Sequence, residues 1–133
     1  MKEKKSDNSP DIAPTRAELD VLQVLWKFGP STVRFVHEKL NEQKDTVQYT
    51  STLKLMQVMT EKGMLTRDTS AMKHIYHPAL EEKKIKSKLL SGFVDNIYGG
   101  SVTDMMVALL GTEKTSDKEM KAIKEMLKKL DDK

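Results

Sequence analysis

Between Gln48 and Gln57 the chain sets out Tyr49, Thr50, Ser51 and Lys54, so hydroxyls, carboxamides and an ammonium crowd one short stretch. Such groups hydrogen-bond and attract negative charge. A hydroxyl serves as donor or acceptor, a carboxamide as both, and lysine brings three donors with its charge. Arg67, Lys73 and His74 add basic side chains a little further on. Singly, each is an ordinary solvated residue. Their common chemistry is recognition of an anionic partner that offers hydrogen-bonding edges, not bond breaking. No nucleophile stands near a base, no Gly-rich phosphate loop is present and no carboxylate pair is set apart, so the chain reads as a non-enzyme.

The absence of cysteine excludes disulfides, thiolate metal ligands and thiol nucleophiles. Of the three histidines, His37 is distant in sequence, and His74 and His77, flanking Tyr76, point to opposite faces if the segment is a strand. No metal and no cofactor are expected. The net charge of +3 permits a nucleic-acid partner without requiring one.

The elements that position these residues are legible from periodicity. Thr15-Arg16-Ala17-Glu18 spells a capping box after Pro14, and Leu19, Val21, Leu22, Leu25, Trp26 and Phe28 form the stripe of a first helix, stopped by Gly29-Pro30. Ser31 or Thr32 caps a short second helix with Val33, Val36 and Leu40 at helical spacing. A third helix begins between Thr46 and Tyr49 and ends at Gly63, since glycine takes the left-handed conformation without steric cost. Thr52, Leu55, Met56 and Met59 fall on its inner side, and Thr50, Ser51, Lys54, Gln57 and Val58 face outward. Met64 and Leu65 then open a strand, Asp68 to Met72 forms a loop, and Ile75 and Tyr76 lie in a return strand closed by Pro78.

That order is a winged helix-turn-helix, whose recognition helix enters the major groove of duplex DNA with its N-terminal side chains at base edges and phosphates. The expected DNA-binding residues are Gln48, Tyr49, Thr50, Ser51, Lys54 and Gln57 on the helix, and Arg67, Lys73 and His74 around the wing. Arg16, Arg34 and His37 are further candidates for the phosphate backbone.

From Leu80 onward every periodic segment is helical. Ile85, Leu89, Leu90, Phe93, Val94 and Ile97 share a stripe ended by Gly99-Gly100. Val102, Met105, Met106, Leu109 and Leu110 make a short helix stopped by Gly111, and a capping box at Ser116 and Glu119 opens a last helix with Ile123, Met126, Leu127 and Leu130. These helices bury little by themselves, so a second copy of the chain is expected to cover Leu89, Phe93, Ile97, Ile123 and Leu127 as a homodimer interface. The nine methionines fall largely at core-like positions and read as packing residues. The expected class is mainly α with a small β-wing. Residues 1–13 form a disordered arm, 14–79 a winged-helix DNA-binding domain and 80–133 a helical dimerisation domain. No apolar run has the length of a signal peptide or membrane span, so a cytoplasmic protein without direct membrane binding is expected.

Four segments together resemble the BlaI/MecI family of penicillinase and methicillin-resistance repressors and its copper-responsive relative CopY. They are PTRAELDVLQVLW in the first helix, YTSTLKLMQVMTEKGMLTR through the recognition helix and first strand, IYHP in the second strand, and FVDNIYGGSVTDMMVALL beyond the wing. The resemblance runs from about Pro14 to the C-terminus. It implies a dimeric repressor whose winged helices each read a half-site of an inverted repeat, commonly TACA and TGTA. Thr50, Ser51 and Lys54 are the family-like binding positions, with Arg67 and Lys73 on the wing. It also implies release by proteolysis under a membrane-bound sensor system, at an Asn-Phe bond in the short helix after the Gly-Gly; this chain carries Ala108-Leu109 there. The cysteine cluster by which CopY binds metal is missing, which excludes copper sensing by that route. Val58 stands where relatives often place arginine.

Two other classes share these elements: a winged helix that binds protein rather than DNA, and a regulator holding an apolar effector among Phe93, Met105 and Met106. Specific duplex binding with a steep salt dependence separates the first from a repressor. Loss of DNA binding on adding a ligand, with the chain intact, identifies the second.

Overall fold

The computed structural model describes residues 13–43, 46–70, 72–112 and 115–131. The expected arm, save Ala13, and Ala71 of the wing loop lie outside them. The chain divides into two compact units, Met1–Lys86 and Ser87–Lys133.

In the first unit α1 (Arg16–Phe28) starts from Thr15, whose hydroxyl accepts from Glu18 N–H at 3.2 Å while the Glu18 carboxylate accepts from Thr15 N–H at 2.9 Å. This is the capping box read from the sequence. Thr32 caps α2 (Val33–Gln43) by accepting from Phe35 N–H at 3.1 Å. Ser31 is used differently: it exchanges backbone hydrogen bonds with Tyr76 at 3.1 and 2.8 Å, adding an isolated bridge to the edge of the wing. α3 (Tyr49–Glu61) follows, and Gly63, at φ +88°, turns the chain into β1 (Leu65–Asp68). β1 pairs antiparallel with β2 (Ile75–Pro78) from Leu65 opposite Pro78 to Asp68 opposite Ile75. Asp68 and Pro78 therefore belong to the ladder rather than to the loop and the terminator. Proline is tolerated here because a two-stranded sheet consists only of edges.

The core is one cluster in which Val21, Leu22 and Leu25 of α1 meet Val36 and Leu40 of α2, Met56 and Met59 of α3, and Leu65 and Tyr76 of the wing. Each large side chain so buried contributes about 1.5–3 kcal/mol. The indole N–H of Trp26, the sole tryptophan, donates to the Leu80 carbonyl at 3.0 Å and ties α1 to the chain leaving the wing.

Glu18, 3 % exposed, also receives the Lys62 ammonium at 2.8 Å, which locks the start of α1 to the end of α3. Burial pushes its carboxyl up, but the hydrogen bonds from Lys62 and Thr15 and the lysine charge outweigh that and hold it below the ordinary glutamate value. A carboxyl depressed in the folded state adds stability that is fully present above its unfolded value and is lost as pH falls through the folded one. Lys62→Ala, which leaves the buried carboxylate short of a donor, is expected to cost about 1–3 kcal/mol. Glu18→Gln is expected to flatten the acid limb of the stability curve; denaturant titrations across acid pH, read by Trp26 fluorescence, check both.

The second unit contains most of α4 (Glu82–Tyr98) together with α5 (Val102–Leu110) and α6 (Asp117–Asp131). Gly99 and Gly100 both take positive φ, and Gly100 N–H donates to the Val94 carbonyl at 3.0 Å, closing α4. Ser101 caps α5 and Ser116 caps α6, each accepting from the backbone three residues on. The mainly helical class with a small β-wing is borne out, with six helices and one two-stranded sheet among the described residues.

Candidate nucleic-acid interface

α3 is amphipathic in the sense its sequence requires. Thr52, Met56 and Met59 are buried against the core, Leu55 is half-buried, and Gln48, Tyr49, Thr50, Ser51, Lys54 and Gln57 are exposed to solvent or partly so. Thr50, Lys54 and Gln57 repeat at helical spacing and share one face. Gln48 is the N-cap, yet its side chain makes no capping hydrogen bond, so its amide is available to an external partner. Val58, expected outward, is half-buried.

The wing brings the remaining residues alongside. Arg67 lies on β1 opposite Tyr76, exposed. The Asp68 carboxylate accepts from Ser70 N–H at 2.9 Å, and hydrogen bonding by Ser70 keeps its carboxyl below the ordinary value, so a charged side chain braces the loop. Lys73 and His74, also exposed, line a groove of about 320 Å³ with Thr32 and Arg34 of the α2 start and Tyr49 and Leu53 of α3. Among the described residues Lys54, Arg67 and Lys73 form no ion pair, which leaves their charge for a partner.

Two of the three further phosphate candidates, Arg34 and His37, also make contacts within the protein. Arg34 holds its guanidinium 5.3 Å from the centre of the Tyr49 ring, a cation–π contact that fixes the first side chain of α3 from the α2 side. His37 is half-buried and bonded within the protein, to Thr52 and Asn41, rather than presented to solvent. Arg16 is exposed beside Asp20, 3.9 Å away. Neither the Arg34–Tyr49 stack nor the Ser31–Tyr76 bridge was legible in the sequence, because both join segments distant in the chain.

The family model of penicillinase repressors matches residues 14–129, a span that takes in the winged helix and nearly all of the helices beyond it. The chain belongs to the penicillinase repressor family. Among relatives, the methicillin resistance regulatory protein MecI of Staphylococcus aureus strain N315 is 24 % identical over 113 residues, covering 85 % of this chain and 91 % of the relative. The Mammaliicoccus sciuri protein of the same name is 23 % identical over the same shares. The penicillinase repressor of Bacillus licheniformis is 22 % identical over 111 residues, covering 84 % and 86 %. Membership makes the chain a transcriptional repressor, as the BlaI/MecI resemblance implied.

Beyond the winged helix of this family member, Leu89 and Ile123 are half-buried, while Phe93, Ile97 and Leu127 are exposed at 49 %, 61 % and 46 %. Leu90, Val102, Val107 and Met126 extend this exposed apolar set, and Val94 is the single buried apolar residue described in Ser87–Lys133. Ala108 and Leu109 are exposed inside α5, a helix with no buried residue. Met105 and Met106 are half-buried. No described helix is long and apolar enough to cross a membrane.

Proposed function

We propose that this repressor binds a two-fold symmetric operator as a homodimer. Gln48, Tyr49, Thr50, Ser51, Lys54 and Gln57 face the major groove of each half-site, and Arg67, Lys73 and His74 reach the flanking backbone. The observation that carries the reading is the division of α3: one side is locked into the core by Thr52, Met56 and Met59, and the other exposes every polar residue the chemistry needs. Hydroxyls and lysine at the start of a helix meet phosphate and base edges together with the positive end of the helix dipole.

Dimerisation is supported by the second unit. A segment with Phe93, Ile97, Val107 and Met126 exposed and a single buried apolar residue among those described has too small a core of its own, and exposed apolar surface marks an interface. The partner is a second copy, consistent with a two-fold operator. For release, we read proteolysis in α5 under a membrane-bound sensor system. A protease acts on extended chain, and a helix that buries none of its residues opens at low cost. Ala108-Leu109 is the candidate bond. The repressor works in the cytoplasm, beside the DNA.

Sedimentation tests the assembly. The full chain is expected to sediment as a dimer and residues 1–86 as a folded monomer with Trp26 still shielded. A stable dimer of residues 1–86 would show that the winged helices self-associate and that the C-terminal helices serve another purpose.

A further inference from the structure

Side chains, and not apolar packing alone, tie the end of α2 to Val47 and the start of α3. Val47 N–H donates to Asn41 Oδ1 at 2.8 Å, Asn41 Nδ2 lies 3.1 Å from His37 Nε2, and His37 Nδ1 lies 3.2 Å from the Thr52 hydroxyl. Counting donors gives each bond a direction. The Val47 N–H occupies the Asn41 oxygen, so the NH2 group of that amide faces the ring and Nε2 accepts from it. A neutral imidazole has one N–H. It therefore falls on Nδ1 and donates to Thr52, a residue only 1 % exposed. Tyr49 meets the same imidazole edge-on, with ring centres 5.4 Å apart.

We infer that His37 is a positioning residue for the recognition helix: Asn41 holds it as the Nδ1–H tautomer, and a proton on Nε2 uncouples α3 from the turn. The inference rests on the operator-binding reading of α3. A protonated Nε2 sets two donors against each other across the 3.1 Å contact. Turning the Asn41 amide over relieves that conflict but points its NH2 at Val47 N–H, across 2.8 Å. One hydrogen bond breaks either way. One turn away on α2 the ring has Val33, Arg34, Leu40 and Asn41 as neighbours, and on α3 it faces Tyr49 and Thr52. Among the described residues of that set Arg34 is the only fixed charge, Tyr49 is the only other titratable group, and none is a carboxylate.

The sign of the effect is what distinguishes the relay from general electrostatics. Added positive charge strengthens binding to a polyanion. Here acid is expected to weaken it. The test combines ring-nitrogen chemical shifts of the 15N-labelled full chain with operator affinity at about pH 8 and about pH 5.5, either side of the range in which histidine titrates. The expected results are an Nδ1–H tautomer at the higher pH and about tenfold weaker operator binding at the lower, where one relay hydrogen bond is broken. His37→Gln, which does not titrate, is expected to show no acid loss. Asn41→Asp is expected to show none either, because a carboxylate accepts from both Val47 N–H and a protonated ring. Should His37→Gln fail to fold by Trp26 fluorescence, Asn41→Asp and the tautomer decide the matter. An Nε2–H tautomer, or an acid loss that survives in both variants, overturns the inference. Specific binding without acid loss overturns the relay alone, and no specific binding at either pH overturns the operator reading with it.

Discussion

Cutting the chain after Gly100 is expected to lower operator affinity by about 10²–10⁴-fold while leaving the winged helix folded. The residues that face DNA in our reading, Gln48 to Gln57 with the wing, belong to a unit with its own core of Leu22, Leu25, Met56, Leu65 and Tyr76. That unit is expected to fold without α5 or α6. Tight binding, however, needs two such units presented together, because linkage turns the second binding event into an intramolecular one. Gly99 and Gly100, both at positive φ, end α4 just before the Ser101 cap of α5. A specific protease site inserted after Gly100 lets the same protein be measured uncut and cut. Trp26 fluorescence and its unfolding midpoint should not change on cutting, whereas affinity should collapse. Full affinity in the cut protein would remove proteolysis of these helices as the release step.

The second large effect is expected at Lys54. A lysine that contacts a base contributes about 1–3 kcal/mol of discrimination. A homodimer presents the substitution in both half-sites, so Lys54→Ala should cost the whole operator about twice that and relax the preference at the contacted position. Lys73→Ala, at a phosphate, should weaken all sequences alike and reduce the salt slope by about one for each phosphate the lysine had neutralised. Lys54 is exposed and unpaired among the described residues, so its removal should leave stability unchanged within about 0.5 kcal/mol. Competition binding against a panel of half-site variants, at several salt concentrations, separates the two substitutions. Equal losses on specific and random DNA for both would place Lys54 at the backbone rather than at a base.

How much of this was legible in the sequence depended on whether the signal was local. The capping boxes at Thr15 and Ser116, the stops at Gly63 and Gly100, and, Val58 apart, the split of α3 into buried and polar sides all arise from residues three or four apart, and each stands where periodicity put it. Pairings across the chain were not legible. Ser31 reads as a cap, yet its backbone is taken by Tyr76, 45 residues on. His37 reads as a basic side chain for phosphate, but its position one turn before Asn41 and against α3 commits it to the turn. Lys62 and Glu18 carry no mark of each other in sequence, and only the fold brings the end of α3 to the start of α1. The exposed polar set on α3 was therefore recoverable, whereas the residues that hold α3 in place were not.

Footprinting the purified repressor on DNA from upstream of its own gene decides whether it binds a two-fold operator. A homodimer of winged helices predicts two protected half-sites related by inversion, with centres about one helical turn of DNA, or a multiple of it, apart. Protection should fade steeply as salt rises, because phosphate contacts release counterions. Protection of one asymmetric half-site, or none at any salt concentration, would contradict a two-fold operator bound by a dimer of this chain.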